Sequence, residues 1–144
     1  MGKILAINTS EKKGVMKAEV QDAVLRENHG IEGDAHSGPG IRQLSLLANE
    51  SIDKIRDKIN TGLCFGRFAE NITTEGIALS SLAIGTKLQM GGEAIIEITQ
   101  IGKECHSECE IKRLAGDCVM PREGIFGAVI KGGKISKGDE INVV

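Results

Sequence analysis

Residues 86–101 read TKLQMGGEAIIEITQI, and this stretch decides the fold class. The segment AIIEITQI carries β-branched residues through its length, and the Gly91-Gly92 pair before it supplies hairpin turn chemistry. Two strands, residues 86–90 and 94–101, are therefore expected to pair as a hairpin. Neighbouring stretches continue the theme. Residues 3–8 (KILAIN) alternate as a first strand does, residues 44–48 read as a buried strand, and residues 70–76 (ENITTEG) read as a strand ending in a turn. Residues 125–130, a turn through Gly132-Gly133, the turn Lys137-Gly138-Asp139 and residues 140–144 close the chain with strands. Residues 17–25 are ambiguous between strand and helix and are read as a strand pair.

Helical signals are few. Asn49 is placed to cap a helix over residues 50–59, where Ile52, Ile55 and Ile59 share one face. Residues 107–114 (SECEIKRL) have the length of two helical turns. Nineteen Gly against two Pro point to tight turns between short strands. The expectation is a mainly β protein: a barrel, closed or partly open, with one or two short helices, forming a single domain over residues 1–144.

Composition narrows the function classes. A net charge of −2 gives no basic stripe for nucleic acid, and three Phe with no Trp or Tyr leave no stacking platform for single strands. The opening MGKILAINTS has no signal-peptide pattern, and no stretch is long enough to span a bilayer. A cytoplasmic protein without membrane or nucleic-acid partners is expected. In a reducing compartment the four cysteines serve as buried residues, metal ligands or reactive thiols more often than as disulfides.

Unusual chemistry gathers in residues 102–127, GKECHSECEIKRLAGDCVMPREGIFG. Cys105, Cys109 and Cys118 fall there with His106, and Lys103, Lys112, Arg113 and Arg122 supply cations that hold an anion or lower a thiol pKa. The spacing C-x3-C-x8-C does not fit paired zinc ligands, whereas a second thiol would serve as a resolving partner for Cys105. Cys64 sits in an apolar, glycine-flanked context and reads as core. The second informative stretch is residues 30–43, GIEGDAHSGPGIRQ, whose Gly, Asp, Ser and Pro content predicts a loop. It presents Glu32, Asp34, His36 and Arg42. For each residue a plain reading stands beside the functional one: Cys105 as a small buried residue, His36 bonding a carbonyl, Arg42 and Arg122 as solvated charges.

Taken in order, these landmarks resemble the MOSC family, named for the C-terminal part of molybdenum cofactor sulfurase. Its pieces here are Gly33-Asp34-Ala35-His36 leading into Arg42-Gln43-Leu44-Ser45-Leu46-Leu47, then Phe68-Ala69-Glu70-Asn71-Ile72-Thr73-Thr74-Glu75-Gly76-Ile77, then Leu82 and Ile84-Gly85-Thr86-Lys87-Leu88. A strand over residues 94–100 running toward Cys105 completes the set. The resemblance implies a β-barrel that binds the molybdenum cofactor (molybdopterin), or its tungsten form, or carries sulfur destined for it. Cys105 matches the cysteine whose thiolate ligates molybdenum in reductase members of the family. His36, Arg42 and Asn71 match positions near the cofactor, and Lys103 and Arg122 add candidate anion contacts. Reductase members often have Pro before the cysteine, where Glu104 stands here.

The resulting expectation is a cofactor-binding or sulfur-carrying protein with Cys105 as metal ligand or persulfide acceptor. Its partners would be the pterin cofactor or a sulfur-donor protein. Two alternatives are a cofactor-dependent reductase of N-hydroxylated compounds with a separate electron donor, and a zinc-stabilised binding module. The structural expectation attached to the preferred reading is that the loop of residues 30–43 folds beside the cysteine segment.

Overall fold

In a computed structural model, the described residues are 2–10, 18–34, 37–40, 43–49, 70–101 and 124–144. Their strands, in chain order, are β1 (Gly2–Thr9), β2 (Ala18–Val20), β3 (Asp22–Arg26), β4 (Gly30–Ile31), β5 (Leu44–Ala48), β6 (Ile72–Glu75), β7 (Lys87–Met90), β8 (Ala94–Ile101), β9 (Ile125–Lys131), β10 (Gly133–Ser136) and β11 (Glu140–Val143). A 3-10 turn, Leu79–Ser81, lies between β6 and β7. The expected helices over residues 50–59 and 107–114 lie outside the described residues. No helix among the described residues is long and apolar enough to cross a membrane.

The hairpin that decides the fold forms in the expected register. β7 and β8 run antiparallel from Lys87↔Glu97 to Met90↔Ala94, so Gly91, Gly92 and Glu93 make the turn. Leu88, Met90, Ala94, Ile96 and Ile98 point into the core, and the residues between them reach solvent in part. That is the period-2 pattern of a strand with one wet face.

From this hairpin the sheet continues through β9, β5, β6 and β1, and β11 pairs with both β7 and β1. The sheet therefore closes on itself as a seven-stranded barrel, with β2 added beside the end of β1. Closure leaves no open edge among the seven. The seam is made by Gly2↔Ile141 and Lys3↔Glu140, extended by the Ile4 N–H to Asp139 and the Gly138 N–H to Ile4. Most neighbours are antiparallel; β5 and β6 run parallel, with Leu46 opposite Ile72. Inside, Ile4, Ile7, Leu44, Leu46, Ile72, Ile96, Ile125 and Ile141 form one apolar cluster. Each such side chain contributes about 1.5–3 kcal/mol by leaving water.

Three local readings change. The strand pair expected over residues 17–25 forms as two strands in different sheets: β2 pairs with β1, and β3 pairs with β10 and β4. The expected loop over residues 30–43 begins with the two-residue strand β4, because Leu25 and Arg26 offer a ladder to Ile31 and Gly30. Gly132-Gly133 is not a hairpin turn. Gly133 opens β10, which crosses to β3 through Gly133↔Leu25 and Ser136↔Asp22 instead of folding back on β9.

The two faces of the barrel wall at β5 and β6 are both dry. All five residues of β5 are buried, including Ser45 and Leu47 on the face away from the core. Ala6, Asn8, Asn71 and Thr73 share that outer face and are buried as well. Polar side chains so placed must find partners within the protein.

Candidate functional site

Of the residues expected at the site, Asn71 is described; Cys105, Lys103, Arg122, His36 and Arg42 lie outside the described residues, as do Cys64, Cys109, Cys118 and His106. The structure does give the strand ends from which their segments depart. β8 ends at Ile101 and β9 begins at Ile125, and these two are register partners. Cys105 stands four positions beyond Ile101 in the sequence.

The loop that carries His36 and Arg42 is anchored to the same part of the barrel. At its near end, the Gly38 N–H donates to His29 at 2.7 Å, the Ser37 hydroxyl donates to the Asp34 carbonyl at 2.6 Å, and the Asp34 carboxylate accepts from the Ser10 N–H at 3.1 Å. At its far end, the Gln43 N–H donates to Gly127 on β9 at 3.1 Å. Leu44 then pairs with Gly127, and Leu46 with Ile125. The point where the loop enters β5 and the point where β9 begins are thus two residues apart along β5, about 7 Å at strand rise. The expected contact between the loop and the cysteine segment itself lies outside the described residues.

Gly30 makes this anchoring possible. Its φ is +115, and a Cβ there would sit 2.1 Å from the Gln43 carbonyl oxygen, closer than any atom can approach. Only glycine lets β4 pass so near the start of β5.

Asn71 holds three strands together. Its Oδ1 accepts from the Ser45 N–H at 2.9 Å and from the Ser45 hydroxyl at 3.3 Å, and its Nδ2 donates to the Asn8 carbonyl at 3.2 Å. Its backbone N–H donates to Ser45 at 3.0 Å, and the Asn8 N–H donates to its carbonyl. This is where the parallel β5–β6 pair and the end of β1 meet, and the amide completes backbone bonds that the ladders leave open. Beside it the Thr73 hydroxyl donates to the Glu70 carboxylate at 2.8 Å and accepts from Asn8 Nδ2 at 3.2 Å. The sequence Glu70-Asn71-Ile72-Thr73 is therefore a buried polar seam with one apolar residue turned into the core.

Among the described residues, two buried side-chain atoms have no hydrogen-bond partner: Asn8 Oδ1 and Thr74 Oγ1. They differ in setting. Thr74 lies opposite Ile4 and Ala48 and faces the apolar interior, whereas Asn8 Oδ1 belongs to the polar seam. Sequence reasoning missed Asn8 and Ser45 as parts of this network, and the separate bonds of Ser10 to Asp34 and of Gln43 to Asn28, Gly40 and Val129. Each reads locally as a turn or strand residue, and their partners are up to 86 positions away in the sequence. Among the described residues, no group of three or more His, Cys, Asp or Glu is placed to hold a metal ion.

Known structures share this architecture. The YuaD protein from Bacillus subtilis aligns with a TM-score of 0.82 at 19% identity, covering 99% of this chain and 96% of that one. YiiM from Geobacillus stearothermophilus aligns with a TM-score of 0.74 at 17% identity over 100% of this chain and 75% of its own. YiiM from Escherichia coli gives 0.70 at 22%, over 100% and 70%. At these identities the likeness is one of fold. No curated protein matches the chain. A comparison with family descriptions matches the MOSC domain over residues 32–142, a span that runs from the loop of His36 through the polar seam to β11. The ordered motifs, the seven-stranded barrel and this match together make the chain a member of the MOSC domain family.

Proposed function

We propose that this protein binds the molybdenum cofactor, or carries sulfur for it, through the thiolate of Cys105, in the cytoplasm. The observation that supports the reading is the shared anchoring of two segments. The loop bearing His36 and Arg42 enters β5 within about two strand residues of the start of β9, the strand that follows the cysteine segment.

The chemistry of the donor set fits this group. A soft thiolate suits molybdenum or tungsten, and His36, Arg42, Lys103 and Arg122 offer the positive charge that a terminal phosphate requires. The orphaned Asn8 Oδ1 is a buried acceptor of the kind that ring N–H donors of a pterin satisfy. When bound, the cofactor supplies a metal centre for oxygen-atom or sulfur chemistry. The protein's own part is to present Cys105, balance the anion and hold the loop. Asn71 acts here by holding β5, β6 and β1 in register, so that the loop and the seam keep their places.

As a sulfur carrier, the Cys105 thiolate attacks the terminal sulfur of a donor persulfide. The donor S–S bond breaks, a new one forms on Cys105, and the donor cysteine leaves as a thiolate, with no net oxidation. The partner would be that donor protein or the cofactor itself.

Reconstitution tests the reading. Purified protein mixed with molybdopterin, with and without molybdate, should retain pterin fluorescence through gel filtration, and Cys105→Ser should lose the metal. Equal retention of metal by both proteins would remove Cys105 from its role; retention of neither pterin nor transferred sulfur by the wild type would remove the reading.

A further inference from the structure

Gln43 follows Arg42 directly and uses its buried amide at both ends. Its Nε2 donates to Asn28 Oδ1 and to the Gly40 carbonyl, each at 3.0 Å, and its Oε1 accepts from the Val129 N–H at 2.9 Å. The Asn28 N–H in turn donates to the Val129 carbonyl at 3.1 Å. Asn28, Gln43 and Val129 thus form a closed ring of three hydrogen bonds that joins the turn after β3, the end of the loop and β9. Asn28 adopts a left-handed backbone, φ 55, which an asparagine tolerates and which aims its side chain at the ring.

This ring is not needed to hold β5. That strand has its own ladders to β9 and β6. What the side chain adds is a tie on the loop: of its two donor bonds, one reaches Gly40 within the loop and one reaches Asn28 outside it. The near half of the loop also bonds through Ser10, Asp34 and Ser37, and its Gly38–His29 bond stands two residues before Gly40, next to the Gln43 tie.

We propose that Gln43 is a positioning residue, whose amide ties Gly40, in the loop that carries His36 and Arg42, to Val129 of β9 and so sets the affinity of that loop for an anionic cofactor. What the loop binds rests on the function proposed above. An apolar residue of the same length would fill the space and leave the Val129 N–H, the Asn28 amide oxygen and the Gly40 carbonyl without their partner.

The test is Gln43→Met on the whole chain, read by amide hydrogen exchange and by the Kd for isolated molybdopterin. Exchange at Val129 and Gly38 should quicken about tenfold or more, while Ile98, bonded to Thr86 across the barrel, should change less than about twofold. The Kd should rise about tenfold, with the far-ultraviolet circular dichroism unchanged. Asn28→Gly keeps the left-handed backbone and removes one partner of the ring, so it should move both readouts in the same direction by less; it decides the matter alone if Gln43→Met does not fold. Unchanged exchange at Val129 and Gly38, or a loosened loop with an unchanged Kd, would overturn the proposal. A wild-type protein that binds no molybdopterin removes the functional reading and the affinity part of this proposal with it, and the exchange comparison then decides whether Gln43 fixes the loop.

Discussion

The barrel wall at β7 and β8 and the wall at β5 and β6 are built on opposite principles. On the first, Lys87, Gln89 and Glu97 lie on the outward face and reach water wholly or in part. On the second, Ser45, Asn71 and Thr73 also face away from the core, yet they are buried and bonded to one another and to β1. A sheet wet on one face fixes its register by hydrophobic alternation. A sheet dry on both faces has lost that device, since either face would accept apolar residues. Its register is instead specified by side-chain amides and hydroxyls that fit only one pairing.

Asn71 and Gln89 are the direct way to break this comparison, because both are amides on the outward side of the barrel. Asn71→Ala strips partners from the Ser45 N–H and the Asn8 carbonyl in a dry setting and should cost about 3–5 kcal/mol in urea unfolding. Gln89 donates to the Gly92 carbonyl at the exposed hairpin turn, and Gln89→Ala should stay within about 0.5 kcal/mol of wild type. Equal losses would show that the two walls are not energetically distinct. Ile96→Ala, on the inward face of the wet wall, should cost about 3 kcal/mol through lost burial and a cavity, placing the polar seam on a level with the apolar core.

Thr74→Val sharpens the contrast from the other side. Its hydroxyl is buried against Ile4 and Ala48 without a partner, so a methyl of the same shape should leave stability unchanged or raise it by up to about 1 kcal/mol. A clear loss on thermal unfolding would mean that the hydroxyl is bonded after all. The smallest effect belongs to Lys134→Ala. Its contact with Asp22 spans 3.7 Å between side chains that are both more than half exposed, and its removal should shift stability by well under about 1 kcal/mol at moderate salt.

The same division governs what could be read from the sequence. The hairpin of β7 and β8, the run Leu44–Ala48 and the first strand were legible because their patterns are local: β-branched runs, glycine turns, a continuous apolar stretch. The three-stranded sheet was not. β3 and β10 pair across more than a hundred residues, and nothing in Gly132-Gly133 distinguishes a hairpin turn from a strand start. The polar seam was legible only as a motif. Ser45, Glu70, Asn71 and Thr73 stood out by resemblance, while their structural partner Asn8 carried no local signal, since a buried amide is identical in sequence to a solvated one. For the site, the sequence named the cysteine and the cations; the fold supplies the anchors, Ile101, Ile125 and Gln43, from which their segments depart.

Native mass spectrometry of the purified protein, before and after exposure to molybdopterin and to a persulfide donor, tests the central claim most directly. The account predicts a bound pterin or an added sulfur atom, with peptide mapping placing the sulfur on Cys105, and loss of metal or sulfur in Cys105→Ser. An unmodified mass under every condition, or the same adduct on the Cys105→Ser protein, would contradict it.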